Sequence, residues 1–314
     1  MLYKSTRSTA PADRTSAEVI KEGLASDGGL FVPESIPTLT LPEIEALCRK
    51  SYPERAADIL SRFLTDYTQE ELLEDCRAAY SRDSFVGGAA PLVGVRSTYP
   101  MEILELWHGP TAAFKDMALQ IMPRLLSRAL VKTGETRDAM ILVATSGDTG
   151  KAALEGYRDI DRVRILVFYP SDGVSSVQKL QMATQQGSNV AVCAIRGNFD
   201  DAQNGVKDIL NSPEMTTRAK VRGTVFSSAN SINWGRLLPQ IVYYFSAYCD
   251  RFAEQPEEFG APINFVVPTG NFGNILAAYY AKRMGLPVHR LICASNSNNV
   301  LTDFILTGTY DRNR

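Results

Sequence analysis

The residues most able to do chemistry lie in three short segments, each placed between an apolar run and a helical pattern. The first reads Trp107-His108-Gly109-Pro110-Thr111-Ala112-Ala113-Phe114-Lys115-Asp116. Gly109 and Pro110 enforce a turn, and the apolar stretch Met117–Leu130 predicts a helix with Lys115 in its first turn. A helix start repels an ammonium, and apolar neighbours disfavour it further. Both effects would favour the free amine, the form that makes a Schiff base with an aldehyde. Taken alone, Lys115 reads more readily as a surface lysine that breaks the dipole preference. His108, ahead of Gly-Pro, reads better as a residue that orients the loop than as a general base.

The second segment, Ala144-Thr145-Ser146-Gly147-Asp148-Thr149-Gly150-Lys151, follows a β-type run and opens a helix. Its peptide N–H groups and hydroxyls could hold an anion. It is not a nucleotide-binding P-loop, because Thr145 replaces the first required glycine and Ala152 the Ser or Thr after the lysine. An ordinary helix cap would look the same. The third segment, Pro268-Thr269-Gly270-Asn271-Phe272-Gly273-Asn274, again joins a strand pattern to a helix pattern, Ile275–Met284. Its glycines let peptide N–H groups converge on a phosphate, and Asn271 and Asn274 could cap the helix, although a structural turn has the same composition. Together, a reactive lysine and two anion cradles suit a cofactor with an aldehyde and a phosphate, bound beside an amino-acid carboxylate. Pyridoxal 5'-phosphate is such a cofactor.

The elements that must position these segments are legible in the apolar rhythm. Residues from Ser16 to Ala79 are mostly helical, with periodic stretches Leu41–Cys48, Ala56–Phe63 and Glu70–Ala79. After Gly87 and Gly88 the pattern turns to short β-rich runs alternating with helices, with strands expected at Ile103–Leu106, Ala139–Ala144, Val163–Phe168, Val190–Ile195, Val225–Ser227, Asn264–Val267 and Leu291–Ala294. Nearly continuous apolar runs such as Met140-Ile141-Leu142-Val143 suit strands of a mainly parallel sheet buried on both faces. Ligand chemistry should gather at the carboxyl ends of such strands. The expected organisation is an α/β fold with mainly parallel sheets flanked by helices, a small mostly helical N-terminal domain over 1–88 and a catalytic region over 89–314.

Composition narrows the function. With 45% apolar and 22% charged residues the chain is globular, and its 314 residues suggest about two domains. Lys and Arg total 33 against 35 Asp and Glu, with no long run of one sign, which argues against nucleic acid as partner. Five scattered cysteines, without Cys-x-x-Cys spacing, argue against a disulfide framework or a zinc site, so no metal is expected and the compartment reads as cytoplasmic. No stretch is apolar enough to span a membrane. Trp234, Tyr243, Tyr244 and Phe245 read as core, Cys193 and Cys293 as buried strand residues, and His289 as a surface residue.

The three segments, with Ser5-Thr6-Arg7, Gly23–Pro33 and Ser228-Ala229-Asn230-Ser231-Ile232-Asn233, resemble threonine synthase, of the fold type II pyridoxal phosphate enzymes related to the tryptophan synthase β subunit. The resemblance covers essentially the whole chain. It implies that Lys115 forms the cofactor Schiff base, that Gly270, Asn271, Phe272, Gly273 and Asn274 wrap the cofactor phosphate, and that Ser146, Gly147, Asp148 and Thr149 lie at the substrate carboxylate or the cofactor ring. The implied reaction converts O-phosphohomoserine and water to L-threonine and phosphate, in a monomer or homodimer. A phospho-lyase yielding 2-oxobutyrate and an inactive truncated paralogue are the alternatives. The chain departs from the family pattern at Ser8, and it stops at Arg314. The resemblance implies a further C-terminal segment that carries the pyridine-nitrogen partner. Its lack would expose an apolar sheet edge and lower solubility.

Overall fold

The computed structural model describes residues 1–98, 100–253, 255–269 and 271–311. The chain opens with strand β1 (Tyr3–Ser5), helix α1 (Ser16–Glu22) and strand β2 (Phe31–Pro33), the two strands pairing antiparallel. Helices α2 (Leu41–Cys48), α3 (Tyr52–Ser61) and α4 (Gln69–Ala79) follow. The starts of these four helices are written locally. Thr15 with Glu18, Thr40 with Glu43, Ser51 with Glu54 and Thr68 with Glu71 each form a capping box, which satisfies backbone donors at both ends of the first turn.

An antiparallel pair, β3 (Leu92–Val95) and β4 (Met101–Leu104), leads into a single helical turn, α5 (Asp116–Leu119), and then α6 (Met122–Lys132). The alternating part is β5 (Asp138–Ala144), α7 (Asp148–Tyr157), β6 (Val163–Pro170), α8 (Ser176–Ala183), β7 (Val190–Ile195), α9 (Phe199–Asn211), α10 (Pro213–Val221) and β8 (Thr224–Ser227). Its four strands form one parallel sheet in the order β7-β6-β5-β8. The chain therefore pairs first on one side of β5 and later on the other, so the carboxyl end of β5 is a topological switch point where ligands bind in open α/β sheets. The long helix α11 (Trp234–Ala253) follows, then β9 (Ile263–Pro268), α12 (Gly273–Arg283), β10 (Val288–Ala294) and α13 (Val300–Thr307). Strands β9 and β10 pair parallel in a separate two-stranded sheet.

Helix α11 is the spine of the molecule. It packs against α2, α3, α5 and α12, and almost every side chain along it is buried. Trp234 at its start stands in an aromatic cluster with Tyr3, Phe63 and Tyr280 at ring separations of 5.5–5.7 Å. Arg55 of α3, itself buried, donates to Ser246 Oγ at 2.8 Å and Asp250 Oδ1 at 2.6 Å, which ties the N-terminal helices to this spine.

Several expectations are corrected. The helix predicted over Met117–Leu130 is broken after Leu119 into α5 and α6. The strand expected at Ile103–Leu106 lies two residues earlier, and its partner β3 was not foreseen because Gly94 and exposed positions interrupt its alternation. Cys193 is exposed and Cys293 only half-buried, since β7 is the outer strand of its sheet and β10 pairs only with β9 among the described residues.

Candidate active site

Lys115 immediately precedes the single turn α5, at the far end of the loop that leaves β4. His108 braces that loop: its Nδ1 is 2.8 Å from the Val86 carbonyl and its Nε2 is 2.6 Å from Glu105 Oε2. Inside the loop, Asp116 is fully buried and accepts from Thr111 twice, from the peptide N–H at 2.9 Å and the hydroxyl at 2.7 Å. Burial holds the Asp116 carboxyl above the ordinary carboxylate range, against these hydrogen bonds. Gly109 is obligatory there, because a Cβ would stand 2.5 Å from the Asp116 Cβ.

The Lys115 ammonium receives no hydrogen-bond acceptor from the described residues. Its pKa is lowered, chiefly by burial and further by the positive charges of Arg236 and Lys151, while Asp148 opposes the shift. The helix dipole expected from sequence is a minor cause, since α5 is one turn long and its aligned peptides are few.

The loop after β5 packs on the lysine loop. Thr145 Oγ1 accepts from the peptide N–H groups of Gly147 at 3.0 Å and Gly150 at 2.9 Å, folding the turn around one hydroxyl. Gly147 has φ +155°, and a Cβ there would run into the Gln178 side-chain amide at 2.5 Å. That amide donates to Asp148 Oδ1 at 2.8 Å. Lys151, only 8% exposed, donates to the Thr111 carbonyl at 2.9 Å and lies 3.5 Å from Asp148. Ser146 is exposed and Thr149 half-buried, so neither hydroxyl is consumed in the core. The structure brings Lys115 and Asp148 into electrostatic range and ties the two loops through Lys151.

The third segment is positioned by α11. Phe272, not an asparagine, occupies the cap position of α12. Asn271 is exposed, and Asn274 is turned away from the cap: its Oδ1 accepts from the hydroxyls of Tyr243 at 2.5 Å and Tyr244 at 2.6 Å. Gly270 lies outside the described residues. The same helix carries Arg236, which sequence reasoning passed over. Arg236 is 4% exposed and its guanidinium donates to the Ala229 carbonyl at 2.6 Å, while its Nε has no partner among the described residues. Burial pushes its pKa down to about 10. The signal was available, since Arg236 follows Ser228–Asn233 at the entry to an apolar helix, where an arginine needs a reason to be buried.

The charges of Arg236 and Lys151 thus both act on Lys115, opposed among the described residues by the Asp148 carboxylate. An amine and a buried guanidinium Nε that both lack a partner among the described residues fit a bound aldehyde and an anion, the chemistry of pyridoxal phosphate and an acidic substrate.

Comparison with known proteins agrees. Residues 2–80 match the family model for the threonine synthase N terminus, and residues 104–314 that for pyridoxal-phosphate dependent enzymes. Threonine synthase-like 1 of Homo sapiens is 45% identical, over 98% of this chain and 43% of that protein. The crystal structure of pyridoxal-phosphate-bound threonine synthase from Brucella melitensis superposes with a TM-score of 0.87 at 42% identity, over 99% of this chain and 64% of that one. For threonine synthase from Escherichia coli the values are 0.80 and 34%, over 99% and 68%. The chain spans less than half of the human relative and about two thirds of the two bacterial proteins. From the cations around Lys115 to the α/β frame that holds them, the chain belongs to the threonine synthase family of pyridoxal-phosphate-dependent enzymes.

Proposed function

We propose that the chain binds pyridoxal phosphate through Lys115 and the Asn271-Phe272-Gly273-Asn274 loop and converts O-phosphohomoserine and water to L-threonine and phosphate. The observation that carries this reading is the Lys115 amine, desolvated, without an acceptor among the described residues and held beside two further cations. When bound, the cofactor supplies the aldehyde that captures the substrate amine and a ring that disperses charge from Cα. The chain's own residues supply the rest. The lowered Lys115 pKa leaves a larger share of free amine at neutral pH, able to take the Cα proton and to carry protons among Cα, Cβ and Cγ. In the Ser146-Gly147-Asp148-Thr149 turn the Gly147 N–H is held by Thr145 Oγ1, and the peptide N–H groups of Ser146, Asp148 and Thr149 are the ones offered to the substrate carboxylate, at the switch point beside β5. The buried Arg236 guanidinium holds an anionic group of the substrate in a water-poor setting, where a charge-assisted hydrogen bond is strong. Five free thiols support a cytoplasmic setting for this chemistry.

The test is an absorbance spectrum of the full chain with pyridoxal phosphate, before and after borohydride, beside Lys115→Ala. The expected result is a Lys115-dependent band that borohydride fixes covalently, followed by release of phosphate and threonine from O-phosphohomoserine. Release of 2-oxobutyrate and ammonia instead would assign a phospho-lyase. A wild-type chain without the band would overturn the reading.

A further inference from the structure

Tyr243 and Tyr244 are consecutive residues of α11, about 100° apart around the helix, yet both hydroxyls converge on one atom, Asn274 Oδ1. Both rings are buried, and they pack against each other with centroids 4.8 Å apart; Tyr244 also packs edge-on against Phe265 of β9 at 4.9 Å. The Asn274 amide is oriented with its oxygen toward both hydroxyls, which also lie near a second acceptor each, Gln240 Oε1 at 3.3 Å from the Tyr243 hydroxyl and the Asn274 carbonyl at 3.1 Å from that of Tyr244. Burial raises both phenol pKa values, so the hydroxyls stay protonated and remain donors throughout the working pH range. With both Oδ1 lone pairs occupied, the Asn274 Nδ2 keeps two N–H donors that bond no described residue.

We propose that Tyr243 and Tyr244 are positioning residues that lock the Asn274 amide with its NH2 toward the cofactor phosphate, so that phosphate recognition by the glycine loop depends on two hydroxyls that never touch the ligand. The proposal rests on the reading of this loop as the phosphate cradle. It also explains why a short polar residue stands at the second position of α12 without capping it. A freely rotating Asn274 would present its carbonyl oxygen to the phosphate as often as its NH2, and that encounter is repulsive. Buried phenols must donate somewhere, and of the acceptors in reach Asn274 Oδ1 is the nearest to both hydroxyls.

The test measures binding of pyridoxal phosphate and of pyridoxal, which lacks the phosphate, to the full chain. The set comprises wild type, Tyr243→Phe/Tyr244→Phe and Asn274→Asp, each with its melting curve. Phe retains ring packing. In Asn274→Asp the introduced carboxylate still accepts both hydroxyls while offering no donor, so this variant keeps the local fold. The expected wild type prefers pyridoxal phosphate to pyridoxal. That preference should fall about 10- to 100-fold in both variants, the loss expected for a hydrogen bond to a charged group, with pyridoxal affinity changed less than about twofold. A preference retained by the double variant or by Asn274→Asp overturns the proposal and leaves the cradle standing. A wild type without any preference overturns the cradle itself, and the proposal with it. Equal loss of both ligands in folded variants assigns the tyrosines a purely structural role and also overturns it.

Discussion

The Lys151 ammonium donates to the Thr111 carbonyl at 2.9 Å, joining two loops that lie 40 residues apart in sequence. One loop ends in Lys115, and the other is the turn at the carboxyl end of β5, so a single buried contact fixes their separation. Lys151→Met keeps the aliphatic stem and removes the donor, leaving the carbonyl without its charged partner. The expected cost is about 1.5–3 kcal/mol in a denaturant titration. The substitution also removes one of the positive charges that depress the Lys115 pKa, so the amine should titrate higher.

The titration of Lys115 has signed neighbours. Competitive labelling with trace acetic anhydride, read by mass spectrometry against pH, should place its midpoint below that of the exposed lysines. Arg236→Met should raise the midpoint and Asp148→Asn should lower it, because these charges act in opposite senses. An unmoved midpoint in both variants would leave desolvation as the whole cause.

The same shift bears on stability. A lysine whose folded pKa lies below its unfolded value of ~10.4 weighs against folding wherever the group is protonated in both states, and the penalty fades as pH rises through that window. Lys115→Met should therefore melt above wild type at neutral pH, with the gap closing toward the unfolded pKa. Enzymes commonly give up stability at such positions.

Gly156 of α7 faces the end of α5 so closely that a Cβ would stand 2.0 Å from the Leu119 carbonyl oxygen. Backbone on both sides leaves nothing flexible to yield. Gly156→Ala should cost about 3 kcal/mol or more, the upper part of the overpacking range, and should displace the lysine turn as well. A variant with wild-type melting would show that α5 is free to slide.

Helix α13 exposes Phe304, Ile305 and Leu306, the last at 78%, while Val266 and Ile292 expose an apolar face of the β9–β10 sheet. Patches of this kind drive association. Ile305→Lys with Leu306→Glu should reduce concentration-dependent light scattering without lowering the melting temperature, since neither side chain is buried.

What the sequence made legible follows from locality. The central strand β5 announces itself because burial on both faces writes an apolar run, Ile141-Leu142-Val143. The three site segments stand out because strand-to-helix turns need glycine and hydroxyl residues at fixed places. Other features are long-range and were hidden. The break between α5 and α6 is marked only by Pro123, at the second position of α6, which suits a helix start but does not by itself say that the preceding turn ends at Leu119; the close approach of Gly156 to Leu119 accompanies it. Asn274 looks like a helix cap until two tyrosines about 30 residues upstream claim its oxygen. Cys193 sits on a strand as expected, but only sheet order reveals that the strand is outermost. Arg236 needed the fold to show that it reaches the neighbourhood of Lys115.

The bond from Arg55 to Ser246 has a consequence for biosynthesis. Its partners are 191 residues apart, so the helices of the N-terminal part leave the ribosome long before the spine against which they pack. At usual elongation rates that interval is roughly 10–40 s. Self-capped helices can hold their turns during this time, and α3 and α4 can lie on each other, but the apolar faces of α2 and α3 that pack on α11 have no partner yet. The nascent chain is thus a natural client for a holdase until α11 emerges.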